Sequence, residues 1–148
     1  MKDIMLRIAG SQLHGLDSKS DEGMEFITEG RFVKKGDAIY LIYEESELSG
    51  ALGYTTSLKI MDGKVRMKRY GDDNGMQTAI EFEKGGKFIS WYETPFGMIE
   101  MEIMTNDIDN KLNADGSGSL DIDCSVCLKG VLESRNLLKF EIIKAKQN

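Results

Sequence analysis

Arg69 and Glu44 are charged residues within strand-like alternations of apolar side chains. Arg69 follows Val65 and Met67 at a spacing of two, so it shares their side of a strand, and Glu44 alternates in the same way on a strand predicted over 38–48. An unpaired charge in a protein interior costs several kcal/mol. The sequence therefore predicts either an internal Arg69–Glu44 ion pair or a pocket in which Arg69 binds an anionic ligand.

Aromatic residues are further candidates for lining a pocket in which Arg69 binds an anionic ligand. Tyr54 or Tyr92 would line the pocket around Arg69. Tyr92 directly follows Trp91 on a strand predicted over 87–93, so one of these two rings faces inward and the other outward. Packing in the core is the simpler explanation of both.

The two cysteines, Cys124 and Cys127, form a CxxC pattern that invites a redox or metal interpretation. On a strand, residues three apart point to opposite faces and lie roughly 10 Å apart, too far for a disulfide. Zinc needs further cysteine or histidine ligands, and the sequence has one histidine, His14. We therefore expect two reduced thiols, Cys124 inside and Cys127 outside, and no bound metal.

Motifs that would name a reaction are absent from the sequence. It contains no GxSxG elbow, no phosphate-binding GxxxxGK[ST] loop and no GxGxxG turn before a helix. The loop over 111–122 resembles a calcium loop, but Lys111 and Ile122 stand where carboxylates are required. We expect a protein without a cofactor that is not an enzyme.

The composition and net charge limit the kinds of partner that the protein is expected to bind. The 148 residues are 41% hydrophobic and 30% charged, and 19 basic against 25 acidic side chains give a net charge of −6. Such a field repels nucleic acid and anionic lipid. In the basic run over 64–69, Lys64, Arg66 and Lys68 are interpreted as a solvated strand face. The longest apolar run, over 38–43, is far shorter than the roughly 18 residues of a membrane span. We expect a cytoplasmic protein that binds neither nucleic acid nor membrane.

The elements that must position these residues are strands. Apolar side chains alternate with a period of two from Leu120 to Leu128, and the pattern recurs along the chain. Turn sequences rich in Asp-Gly and Gly-Gly separate about ten such runs. The segment over 108–112 is expected to form at most one helical turn.

Successive hairpins with one apolar face either close on themselves or stack as two sheets. Short connections favour closure, which also removes exposed edges. We predict an all-β protein in which residues 1–148 form a single antiparallel up-and-down barrel of about 8–10 strands.

Four segments in this order resemble a known family: Leu41-Ile42-Tyr43-Glu44, the run over 54–60, Arg69-Tyr70-Gly71 and the run over 92–97. The sequence is similar to the YwiB-like family of bacterial proteins of unknown function. The resemblance implies a calycin or lipocalin-like barrel in the cytoplasm and supplies no reaction. Thr56 lies in the second of these segments, and Thr105 also falls where the family's pattern places it. These two residues complete the candidate set with Arg69, Glu44, Tyr54 and Tyr92.

Two functions remain open at this point. The first is non-catalytic binding of a small amphiphilic or anionic molecule inside the barrel, because a barrel of this size can hold one such ligand. The second is a protein-interaction module with a filled barrel, acting through an exposed face or a dimer edge as a monomer or homodimer. A large cavity would favour the first and an exposed apolar surface the second.

Overall fold

The computed structural model describes residues 2–13, 20–44, 55–71, 75–128 and 132–145, and no described segment is helical. Among these segments there is accordingly no helix long and apolar enough to cross a membrane. The described elements are ten strands: β1 (Lys2–Leu13), β2 (Ser20–Lys35), β3 (Ala38–Glu44), β4 (Thr55–Met61), β5 (Lys64–Gly71), β6 (Gly75–Glu83), β7 (Lys87–Thr94), β8 (Gly97–Leu112), β9 (Gly118–Leu128) and β10 (Leu132–Ala145).

Hydrogen-bonded ladders join the strands in the order β6-β5-β4-β3-β2-β1-β10-β9-β8-β7. Every ladder is antiparallel, and β1 lies between β2 and β10. Except for β6 and β7, strands that follow each other in sequence are therefore neighbours in the sheet, and the β1–β10 ladder joins the first strand to the last. The ten strands form a nearly closed barrel, which confirms the predicted all-β up-and-down architecture.

Alternation decides which side chains fill the barrel. Ile4, Leu6, Leu58 and Leu120 are fully buried, each in a strand whose alternate residues face outward. Each such side chain removes apolar surface from water, a gain of about 1.5–3 kcal/mol for a leucine or isoleucine. The buried apolar side chains form one cluster, to which every described strand except β7 contributes a buried member; Phe88 of β7 packs against it.

A β-bulge at Asn106 changes which residues of β8 face inward. Ile103 and Thr105 are buried before the bulge, and Ile108 and Leu112 pack against the core after it. The extra residue reverses the parity of the strand. The predicted helical turn over 108–112 is wrong, because these residues pair one by one with β9 as far as Leu112 opposite Gly118.

Between β6 and β7 the ring lacks a ladder in the part of the chain that the structure describes. The turn between these strands bonds instead to β8: the Gly85 amide donates to the Thr105 carbonyl (2.9 Å), and the Thr105 amide donates to the Gly86 carbonyl (3.0 Å). Gly86 also donates to the Glu83 carbonyl (2.7 Å). The barrel is therefore held together here through the turn, while β6 and β7 separate beyond it.

Substitution of two glycines with similar backbone conformations tests the geometry of the β8–β9 hairpin. Gly118 and Gly97 both have positive φ, +108° and +118°, but a Cβ on Gly118 would collide with the Lys111 carbonyl, whereas a Cβ on Gly97 meets nothing within 4 Å. We expect Gly97→Ala to cost about 1–3 kcal/mol of backbone strain. Gly118→Ala should cost a further 1–3 kcal/mol or so through overpacking, measured by urea unfolding. Equal losses would contradict this hairpin geometry.

Candidate functional site

Arg69 lies on the inner face of β5, close to the end of the strand at Gly71. Val65 is fully buried and Met67 packs against the core, and Arg69 continues the same side of the strand with its side chain half-buried. The alternation predicted from the sequence for Arg69 thus agrees with the structure.

The register places Arg69 in a polar row that crosses three strands. Tyr43 of β3 lies opposite Thr56 of β4, and Thr56 lies opposite Arg69. Tyr43 and Thr56 are buried, and the Tyr43 ring approaches Phe140 of β10 with 6.4 Å between ring centroids. We call Tyr43, Thr56 and Arg69 the Arg69 row; it combines a cation, a hydroxyl and a phenol with apolar packing beneath.

Glu44 was predicted to face inward, and this prediction is wrong. After Ala38 at the start of β3, the buried side chains are Ile39, Leu41 and Tyr43, so Glu44 points to the outer face and is exposed. It pairs in register with Thr55, which is the neighbour of Thr56 and faces the other way. Glu44 and Arg69 therefore lie on opposite faces of the sheet, two strands apart.

A cavity of about 600 Å³ opens beside the end of β3. Its charged lining consists of three carboxylates, from Asp3, Glu29 and Glu44, and the guanidinium of Arg31. Thr28 donates a hydrogen bond to the Glu44 carbonyl (3.3 Å) at the same place. The excess of carboxylates favours a cationic or neutral occupant and opposes an anion.

The remaining predicted site residues do not gather around Arg69. Thr105 is buried on β8, where its backbone holds the β6–β7 turn, so its position serves the closure of the barrel. Tyr92 lies on β7 opposite Ile99. Tyr54 lies outside the described residues. Of the six predicted residues, the structure brings Thr56 and Arg69 together.

The outer face of β3–β5 carries a basic groove that sequence reasoning did not assemble. Tyr40, Lys59 and Arg66 lie in one register row, Ser57 and Lys68 in the next. With Tyr70 they line a cavity of about 220 Å³. We call these six residues the outer groove.

Charge neutralisation in the outer groove is partial. Arg66 pairs with Glu81 at 3.0 Å, and the Lys59 ammonium lies 6.0 Å from the centroid of the Tyr40 ring. From the sequence alone, this side of β5 is predicted to be a solvated face. Lys59 and Tyr40 join it through strand pairing, which the order of residues along β5 does not reveal.

The cysteines lie on β9, with Cys124 buried and Cys127 half-exposed on the other face, and both are free thiols. Burial, reinforced by the negative charge of Asp123, raises the pKa of Cys124 to about 11. The predicted placement of the two thiols on opposite faces of the strand agrees with the structure. Within the described residues, no group of three or more His, Cys, Asp or Glu side chains is arranged to hold a metal ion.

The fold and these side chains define a class: a ten-stranded antiparallel barrel with a polar row at one end and a basic outer groove. The chain belongs to the family described as a domain of unknown function (DUF1934), whose model matches residues 8–139. This membership confirms the predicted family.

The fold is also similar to the crystal structure of the ywiB protein from Bacillus subtilis. The TM-score is 0.65 with 22% sequence identity, over 97% of this chain and 93% of that one. At this identity the likeness shows the fold alone. No curated protein matches the chain.

Thiol labelling tests the placement of β9. At neutral pH a thiol with a pKa near 11 holds almost no reactive thiolate, and burial also blocks access to Cys124. We expect a disulfide reagent to modify one thiol per native chain rapidly, with the second reacting only in denaturant. Cys127→Ser should remove the fast phase and Cys124→Ser should leave it. Fast labelling of both thiols in the native protein would contradict the assigned faces.

A double-mutant cycle tests the separation of Arg69 from Glu44. Neighbouring strands are about 4.8 Å apart, so two strands and opposite faces separate the side chains beyond direct contact. We expect Arg69→Met and Glu44→Gln to change the free energy of unfolding additively, within about 0.5 kcal/mol. A coupling energy above roughly 1.5 kcal/mol would restore the ion pair that the sequence suggested.

Proposed function

We propose that this protein binds a small anionic, amphiphilic molecule at the Arg69 end of the barrel, without catalysing a reaction. The observation that carries the proposal is the half-buried guanidinium of Arg69 on the inner face, opposite the buried Thr56. Arginine keeps its charge at any physiological pH and offers paired N–H donors that match carboxylate and phosphate oxygens.

The surroundings of Arg69 support an amphiphilic ligand. Met67 precedes it on the same face and packs against the core, and Tyr43 closes the row with an aromatic ring. An anionic head group would bind the guanidinium, while an apolar portion lies along Met67; Thr56 and Tyr43 are buried beneath this site. The acidic cavity beside Glu44 is a poor site for such a ligand because its carboxylates repel an anion.

The proposal includes a cytoplasmic setting without nucleic acid or membrane as partners. Its support is that the two cysteines lie on opposite faces and cannot form the intrachain disulfide that small secreted domains commonly use, and that the net charge is −6.

The test compares Arg69→Met with Lys68→Met, its neighbour on the outer face, using anilinonaphthalene sulfonate as an anionic amphiphilic probe in a fluorescence titration. A lost charge-assisted hydrogen bond is worth about 1.5–3 kcal/mol, so Arg69→Met should weaken binding about tenfold or more. Lys68→Met should change it less than about fivefold, because Lys68 faces the outer groove and acts on a ligand at the inner face only through a screened charge, worth at most about 1 kcal/mol.

Thermal unfolding of each variant verifies that it is folded at the titration temperature. If Lys68→Met abolishes binding while Arg69→Met does not, the ligand occupies the outer groove and the inner site is wrong. If neither substitution weakens binding, electrostatic recognition by β5 is wrong altogether.

A second candidate function is favoured by a different observation. Large apolar side chains are exposed along β7, the following turn and β8: Ile89, Trp91, Phe96, Met98 and Met104. Phe96 is 99% and Trp91 60% exposed. Contiguous exposed apolar side chains mark surfaces that bind other proteins. We therefore also propose a protein-interaction function for this side of the barrel.

A further inference from the structure

The outer groove is lined by side chains that can all donate hydrogen bonds. Each of its six residues ends in an ammonium, a guanidinium or a hydroxyl group, and no acidic side chain of the described residues lines its cavity of about 220 Å³. Lys59, Arg66 and Lys68 are positively charged in a chain whose net charge is −6. The groove is therefore a local concentration of positive charge and hydrogen-bond donors, which suits an anion.

Two of these three cations have no acidic partner in the part of the chain that the structure describes. Arg66 pairs with Glu81 at 3.0 Å, whereas Lys59 and Lys68 form no ion pair there. The ladder between β4 and β5 also sets Lys59 directly opposite Arg66, and like charges in that position destabilise a sheet. A bound anion would offset this repulsion, as expected where a protein gives up some stability for a binding site.

Positive charge on the same face is neutralised towards the start of β5. A smaller cavity of about 160 Å³ adjoins the outer groove and shares two of its cations. Glu81 is among the residues that line this smaller cavity, and Lys64, which also lines it, pairs with Glu83 at 3.2 Å. The positive charge that remains unbalanced therefore lies towards Lys68, at the other end of the strand.

We propose that the outer groove binds a compact, multiply charged phosphate, a diphosphate group, between Lys59 and Lys68. These residues are diagonal neighbours, because Lys59 lies opposite Arg66 and Lys68 follows two residues later on β5. Diagonal neighbours are roughly 7–8 Å apart, so both flexible side chains can reach the phosphoryl groups of one ligand. Lysine binds phosphate as a point charge, and Ser57, opposite Lys68, supplies a hydroxyl donor beside it.

Acidic side chains on both sides of the groove limit the size of the ligand. Glu44 lies on the outer face at the end of β3, and Glu81 and Glu83 lie on β6 opposite Arg66 and Lys64. An extended polyanion such as RNA would meet these carboxylates, whereas a diphosphate fits between them. The cavity volume favours the same conclusion, since pockets for drug-sized ligands typically measure about 300–1,000 Å³.

This site is separate from the one proposed at Arg69 and goes beyond it. Lys68 and Arg69 are successive residues of β5, so their side chains face opposite sides of the sheet. The inner site is proposed for a ligand with an apolar portion, and a diphosphate group has none. Either site can therefore fail while the other remains, and each has its own probe.

The test is isothermal titration calorimetry of the full chain with sodium pyrophosphate. We expect saturable binding of one pyrophosphate per chain. Lys59→Met and Lys68→Met should each weaken it about tenfold, because each removes a hydrogen bond between charged groups, and the double variant should lose measurable binding. Lys64→Met is the matched control on the same face of β5. It should weaken binding less than about fivefold, because Lys64 is already paired with Glu83 and acts through a screened charge.

Thermal unfolding provides a second measurement and verifies that each variant is folded. Pyrophosphate should raise the Tm of the wild type and leave that of the Lys59→Met/Lys68→Met double variant unchanged, because a ligand stabilises only a protein that binds it. Adenosine diphosphate, as a further probe, distinguishes the source of the diphosphate group. Tighter binding than pyrophosphate indicates an ester, and weaker binding indicates the free ion; both agree with the proposal.

Four results would overturn this inference. The first is the absence of saturable pyrophosphate binding by the wild type. The second is equal weakening by Lys64→Met and Lys68→Met, which would indicate diffuse surface charge instead of a site. Loss of pyrophosphate binding in Arg69→Met would place the ion on the inner face. Tighter binding of a short single-stranded RNA than of pyrophosphate would show that the groove binds nucleic acid.

Discussion

The pairing of the first strand with the last is the constraint on which the rest of the structure depends. β1 and β10 join a six-stranded meander, β6 to β1, to a four-stranded one, β10 to β7. Neither meander alone can cover its own apolar face. The ladder runs from Ile4 opposite Ala145 to Leu13 opposite Arg135, so nearly the whole chain lies between its partners. Contacts of such separation form slowly because loop closure precedes the gain from burial.

Closure at β1–β10 explains where the barrel is densest and where it is open. Ile4 and Leu6 of β1 are fully buried, since this strand has neighbours on both sides and the core in front. On the opposite side of the ring, β6 and β7 rely on their shared turn and its two backbone hydrogen bonds to Thr105. The open edge and the exposed aromatic side chains occur together there, as expected where few contacts restrain the sheet.

Much of the fold could be predicted because alternation is a local property. Leu120, Ile122 and Cys124 on β9 fall on the inner face as their spacing predicts. Prediction failed where alternation is ambiguous. Positions 38–43 of β3 are apolar without interruption, so either parity could face inward, and the wrong choice turned Glu44 inward. Buried strands often lack a polar face and lose this signal.

The bulge on β8 shows a different limit. One extra residue, Asn106, reverses the parity between Thr105 and Ile108, and the spacing of Ile108 and Leu112 then resembles a helical turn. The side-chain amide of Asn106 donates to Asp123 (3.2 Å) and Ser125 (3.1 Å) of β9. These partners lie 17 and 19 residues further along the chain. The residues next to Asn106 in the sequence do not indicate these partners, so the bulge is hard to predict without knowing the paired strand.

Some residues of the candidate site can be predicted from spacing along one strand, and others only from the pairing of strands. Arg69 was found because its parity with Val65 and Met67 is local, and the resemblance to the family added Thr56. Their adjacency is a property of the β4–β5 register. The outer groove was missed because Tyr40, Lys59 and Arg66 belong to three strands and meet only through pairing.

Alternate residues of β5 face opposite sides of the sheet, so cations that form one cluster in the sequence lie on two different faces. Arg66 and Lys68 face the outer groove, and Arg69 faces the inner row. Salt screens charges near a protein surface over about 8 Å at physiological ionic strength. Anion binding in the outer groove, where Lys59, Arg66 and Lys68 supply three cations, should therefore weaken more steeply as salt rises than binding at the single cation of Arg69. Salt dependence thus distinguishes two faces of one strand that no measurement of net charge can separate.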